Sequence, residues 1–324
     1  MITARDILWG ILLPAAVAAV AVLGGALLGR AWRARRALVP IGIGAGFATG
    51  LAALLQRVPP APPLDSVDWL FYTAIVVGVA AAVDSISWDV PVAHDSGMAR
   101  GAHVLDYASG ELRAPRNGPL FWLARFAIML ALATVLVWLL VRPLLVFNWT
   151  GASGYVRIAL LALTTSLLWL ALDALARRAG GRAMALGMAP VAALGALTIM
   201  LSGSQKLGQL GGLLATGMFA VAVLGLFFPL LMAARAMVLV YVMLHASLVL
   251  TASEHAYASL TTLSAILLLM AAPLGWLALL VPARRPGARG AALFVAMVVP
   301  AAGAAILAAI AFARAAQDYS DFPG

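Results

Sequence analysis

Apolar positions along this chain do not recur at every second or every third to fourth residue. They run in continuous blocks of about twenty, the length a helix needs to cross the hydrocarbon core of a bilayer. Short intervals rich in arginine, proline or glycine separate the blocks. Ten blocks meet the criterion, at 7–29, 37–55, 69–87, 120–141, 156–176, 183–201, 210–234, 236–252, 256–281 and 291–313. The pattern predicts an all-α, polytopic integral membrane bundle of about ten transmembrane helices. It reads as a single transmembrane domain over 1–324. The longest interval outside the blocks, 88–119, is too short to build a core of its own.

The first block is longer than the apolar region of a signal peptide. Arg30, Arg33, Arg35 and Arg36 follow it rather than precede it, so it reads as a retained helix whose N-terminus lies outside. The third block, WLFYTAIVVGVAAAVDSIS, has the weakest pattern, with a clean apolar run only from Trp69 to Val83. Charge supports it. With ten spans and both termini outside, fourteen arginines fall on the cytoplasmic side and six basic residues outside, leaving aside Arg125 within the fourth span. Without the third span, RRAGGR (177–182) and ARRPGAR (283–289) would face out, against the positive-inside rule. The loop 88–119 is therefore expected in the cytoplasm.

Composition agrees. The chain has 324 residues, 64% hydrophobic and 10% charged, where a soluble domain carries about 25% charged residues. The formal charge of +9 is no sign of nucleic-acid binding, because the arginines sit in short groups between apolar blocks. With no cysteine, disulfides, thiolate ligands and thiol nucleophiles are excluded. The arginine-dominated basic set and abundant alanine suggest a GC-rich bacterial genome, hence the bacterial cytoplasmic (inner) membrane. The lipid bilayer is the first expected partner, with a membrane protein partner or a second copy of the chain after it.

The chemistry-bearing candidates are few. In the second span, Gly42, Gly46 and Gly50 form a double G-x-x-x-G on one helical face, which lets another helix approach closely. GIGAGFATG (42–50) lacks the spacing of a dinucleotide loop. SGSQKLGQLGG (202–212) reads as a tight exposed turn, with an irregular, cavity-lining start to the seventh span as the alternative. His245 falls at mid-membrane in the eighth span and shares a helical face with Tyr241. Ser247, Thr251 and Glu254 form a second polar stripe. An ionisable group inside a span is a functional candidate by default, here as a proton or ion relay, against a neutral imidazole bonded to a neighbouring helix. Asp173 and Arg177, at i and i+4, read as an interfacial ion pair. Arg125, Arg142, Arg157 and Arg235 read as side chains snorkelling to headgroups. Gly10 and Pro14 against Gly187 and Pro190 give only a slight hint of a five-plus-five repeat.

The stretch 84–106 holds Asp84, Asp89, His94, Asp95, His103 and Asp106. Its histidines are nine residues apart across Pro91, Gly97 and Gly101, and only His103 and Asp106 have helical i, i+3 spacing, a weak match to any metal motif. A solvated loop accounts for it, while Asp84 belongs to the end of the third span and can face the bundle interior with Ser85 and Ser87. No cofactor motif is present. These features favour a transporter or permeation protein for a small solute or ion. The alternative is a non-catalytic structural or assembly subunit of a membrane complex. A membrane-embedded enzyme using the 84–106 loop ranks third, for want of a nucleophile–base or metal pattern.

Overall fold

The computed structural model describes residues 8–27, 32–63, 65–88, 119–147, 149, 151–179, 181–227, 234–254, 260–282 and 286–320. Among them there are helices and turns but no strand. The helices are α1 (Leu13–Leu27), α2 (Trp32–Leu55), α3 (Ser66–Trp88), α4 (Pro119–Phe147), α5 (Ala152–Ala179), α6 (Gly181–Leu201), α7 (Gln205–Phe227), α8 (Ala234–Glu254), α9 (Thr262–Ala271) and α10 (Pro286–Ser320). A π-helical turn, Leu8–Leu12, leads into α1, where Pro14 withholds the N–H that an α-helical Gly10 carbonyl would need. Nine described helices are long and apolar enough to cross a membrane. The ninth block is bent by 50° between α9 and a 3₁₀ segment, Pro273–Leu280. The chain is thus a multi-pass helical membrane protein.

Local chemistry sets the ends. Asp65 accepts the backbone N–H of Asp68 at 2.7 Å and caps α3. Thr261 does the same for Ser264 at the start of α9. Such caps satisfy amides that have no partner within the helix. Gly203, at φ 101°, closes α6 in a left-handed conformation open to glycine at little cost. Ser204 and Gly203 return their N–H groups to Ile199 and Met200. In the α9 span, Pro273 has no N–H for the Leu269 carbonyl, and the helix breaks there.

Small residues set the spacing between helices. A methyl at Gly46 would lie 2.7 Å from the Pro14 carbonyl oxygen, and one at Gly42 would lie 2.5 Å from Ala21 Cβ. Gly50 is pressed between Pro14 and Leu213. The double G-x-x-x-G therefore lies against α1, with α7 beyond its end. On the other side of α2, a methyl at Gly44 would lie 2.5 Å from the Ala74 carbonyl oxygen of α3. The pair α6–α7 is close for the same reason. Gly208 and Gly211 face Met200 and Ala196; α7 begins at Gln205 and the turn is confined to 202–204, where only Gly203 is exposed. The sequence pattern placed this start at 210; the polar Gln205 and Lys206 concealed a helical turn already in contact with α6.

At the centre stands α8. It touches α2, α3, α4, α5, α6, α7 and α9, and every residue from Met237 to Ala252 is buried. Most other spans expose a face of large apolar side chains, such as Val76 and Val79 on α3 or Leu160 and Leu167 on α5, as lipid contact requires.

Candidate functional site

Three helices bring an acid–base–acid cluster together. Asp84 lies four residues before the end of α3, Arg125 six residues into α4, and Asp173 six residues before the end of α5. At about 1.5 Å per residue, all three sit roughly 6–9 Å inside the same end of the bundle, the end from which 89–118 departs. Arg125 Nε donates to Asp84 Oδ1 at 2.9 Å, and Nη2 donates to Asp84 Oδ2 at 2.7 Å. Arg125 Nη1 donates to Asp173 Oδ2 at 3.0 Å, and Nη2 donates to Asp173 Oδ1 at 3.1 Å. Two adjacent edges of one guanidinium thus each hold a carboxylate through a two-point contact, the geometry in which arginine binds carboxylates most strongly. Side-chain exposure is 1% for Arg125, 3% for Asp84 and 0% for Asp173.

Arg177 extends the cluster. Its Nη2 lies 3.5 Å from Asp173 Oδ2, and its side chain is 29% exposed. Among the described residues, two carboxylates and two guanidiniums meet here, a formal sum of zero. The rings of Trp169 and Trp122 lie 4.6 and 5.6 Å from Arg125 Cζ, and Trp122 is 4.3 Å from Arg177 Cζ. Cation–π attraction adds to the ion pairs where water is scarce.

This arrangement corrects two expectations. Arg125 does not snorkel to headgroups; its short distance to two acids on neighbouring helices holds it inside. Asp173 and Arg177 are not an isolated interfacial pair, because Asp173 is shared with Arg125. A signal was available in the sequence. With ten spans threaded, Asp84, Arg125 and Asp173 fall at similar depth on three spans, with alternating charge.

A second polar locus lies deeper. His245 and Tyr241, on α8, stack with centroids 5.0 Å apart and planes 12° apart. Both line a cavity of about 10 Å³ with Leu168, Leu172, Val242, Ala246 and Leu269. The imidazole is hydrogen-bonded to the backbone carbonyl of Leu268. Its Nε2 and the Tyr241 hydroxyl have no partner among the described residues, nor does Nε1 of Trp169. Gly195 of α6 makes room for the ring: a methyl there would lie 2.7 Å from His245 Cε1. One helix serves both loci. On α5, Trp169 and Asp173 face Arg125, while Leu168 and Leu172 face the cavity.

The structure separates the remaining candidates from His245. Ser247 and Thr251 are buried but do not line the cavity, and the Thr251 hydroxyl donates to the Ser247 carbonyl at 2.7 Å within α8. Glu254 is half-buried at the far end of α8. Ser85 donates to the Ala82 carbonyl of its own helix at 2.7 Å. Asp89, His94, Asp95, His103 and Asp106 lie outside the described residues. Among the described residues no group of three or more acids or histidines is placed to hold a metal.

The fold and these loci define an α-helical integral membrane protein with a buried charge cluster near one end and a buried aromatic–imidazole pair near its middle. No family model, curated protein or solved structure matches the chain.

Proposed function

We propose that this protein is a transporter or permeation protein that moves a small solute or ion across a bacterial cytoplasmic membrane. The carrying observation is the shared carboxylate Asp173. Burying charge is costly, and an apolar core of the same volume would often be as stable or more so. The cluster has a property that a merely structural one would not need: it divides into two neutral halves. If α5 parts from α3 and α4, Asp84 retains Arg125 and Asp173 retains Arg177. Among the described residues no charge is stranded in either position. Alternating access requires such reversible contacts between helices, and the break in the α9 span is the kind of discontinuity that transporters use.

Reconstitution into proteoliposomes tests this, with uptake of a panel of amino acids, organic acids, sugars and inorganic ions. Wild-type protein should catalyse uptake of at least one member of the panel. Arg177→Gln should reduce that uptake at least tenfold while the protein stays folded, because the α5 half then separates without the cation that stays with Asp173.

One observation favours a second reading, a structural or assembly subunit: the cavity beside His245 has room for a single water. Absence of uptake across the panel, with stoichiometric co-purification of another membrane protein, would decide for that reading.

A further inference from the structure

We infer that His245 and Tyr241 form a binding site, at mid-membrane, for one water-sized hydrogen-bond donor, and that an excess proton carried by a water at that site passes to Nε2 of His245, leaving a neutral water behind. The inference is independent of any carried solute.

The argument starts from the imidazole. A neutral histidine has one N–H donor and one lone-pair acceptor. The ring is bonded to the Leu268 carbonyl, which can only accept, and Nε2 has no partner among the described residues. The donor is therefore Nδ1, and the carbonyl fixes the tautomer. Nε2 is left as an unfilled acceptor on a residue 5% exposed. One helical turn earlier stands the Tyr241 hydroxyl, also without a partner among the described residues, on a residue 2% exposed.

Both side chains line the same cavity, and its other walls are apolar. A volume of about 10 Å³ is near the minimum for one water. Buried polar atoms are rarely left without a partner, and a single water satisfies both: it donates to Nε2 and accepts from, or donates to, the tyrosine oxygen. A larger solute does not fit, and a bare metal ion would find one nitrogen and one phenol among hydrocarbon walls.

The surroundings favour a proton over other cations. From α5 the cavity receives Leu168 and Leu172, and from α9 Leu269; from α6, Gly195 abuts the ring. Tyr241 is the other titratable lining group. Asp84 of α3 and Arg125 of α4, two helices that also pack on α8, are committed to each other and to Asp173. No described carboxylate lines the cavity to compensate a resident cation. A proton can arrive on water, dwell on Nε2 and leave.

The test is solid-state NMR of ¹⁵N-histidine-labelled full-length protein in nanodiscs, with His245→Gln used to assign the ring. At alkaline pH, Nδ1 should carry the proton, and Nε2 should be unprotonated and show magnetisation transfer from water. On acidification, within the range where circular dichroism shows an intact fold, Nε2 should become protonated. Tyr241→Phe, which removes one oxygen and leaves the ring stack, should shift the Nε2 resonance and weaken the water transfer at least twofold. A proton on Nε2 at alkaline pH, a ring that receives no magnetisation from water, or an Nε2 that stays unprotonated to the acid limit of folding would each overturn the inference.

Discussion

At the scale of single residues, Arg125 is the most consequential side chain in the structure. Removing one partner from a buried charge cluster leaves the others desolvated and unpaired, which costs about 3–5 kcal/mol. Arg125→Gln is expected to lose about that much stability, read as a lower melting temperature in detergent. Arg125→Lys should recover little, because a single ammonium cannot present two adjacent two-point edges. Adding Asp84→Asn and Asp173→Asn to Arg125→Gln should restore most of the loss, since every buried group is then neutral. Residues of this kind were only partly legible in the sequence. Asp84 and His245 stood out as ionisable groups in or beside apolar blocks. Arg125 did not, because an arginine five residues into a span also fits a side chain reaching for headgroups; only the depth of the acids on two other spans distinguishes the cases.

At the scale of the helices, close approach rather than sequence polarity sets the architecture. Gly44 and Gly46 point to opposite neighbours of α2, and at each a methyl would meet a backbone oxygen within 2.7 Å. Gly24, on α1, has nothing within 4 Å of the same position. Gly46→Ala and Gly44→Ala should therefore each destabilise the protein by about 1–3 kcal/mol through overpacking. Gly24→Ala should be neutral or slightly stabilising, because alanine is the better helix former. Thermal unfolding of the three variants side by side checks this. Helix number and type were readable because a block of about twenty apolar residues has few other solutions. Details that depend on a partner were less so. The polar Gln205 and Lys206 conceal the start of α7, and Gly44 lies outside the G-x-x-x-G spacing of Gly42, Gly46 and Gly50. The bend in the α9 span was carried by Pro273, one of several prolines in or near the apolar blocks.

At the scale of the whole molecule, the cysteine-free sequence allows a direct test of threading. Gln205 begins α7 and Gly287 lies in the first turn of α10; both are exposed. If the bent α9 span crosses the membrane, three crossings separate these positions. A membrane-impermeant maleimide should label Gln205→Cys in intact cells and Gly287→Cys only after permeabilisation. Labelling of both from outside would show that α9 and its 3₁₀ segment form a re-entrant loop. The central position of α8 bears on how the protein is made. It has the lowest mean hydropathy of the nine unbroken spans and the largest buried share. During synthesis it leaves the ribosome after α2–α7 and before α9, when one flank is still uncovered. The least oily span must therefore enter the bilayer against helices already installed there. Its retention in the membrane is a property of the company that precedes it more than of its own residues.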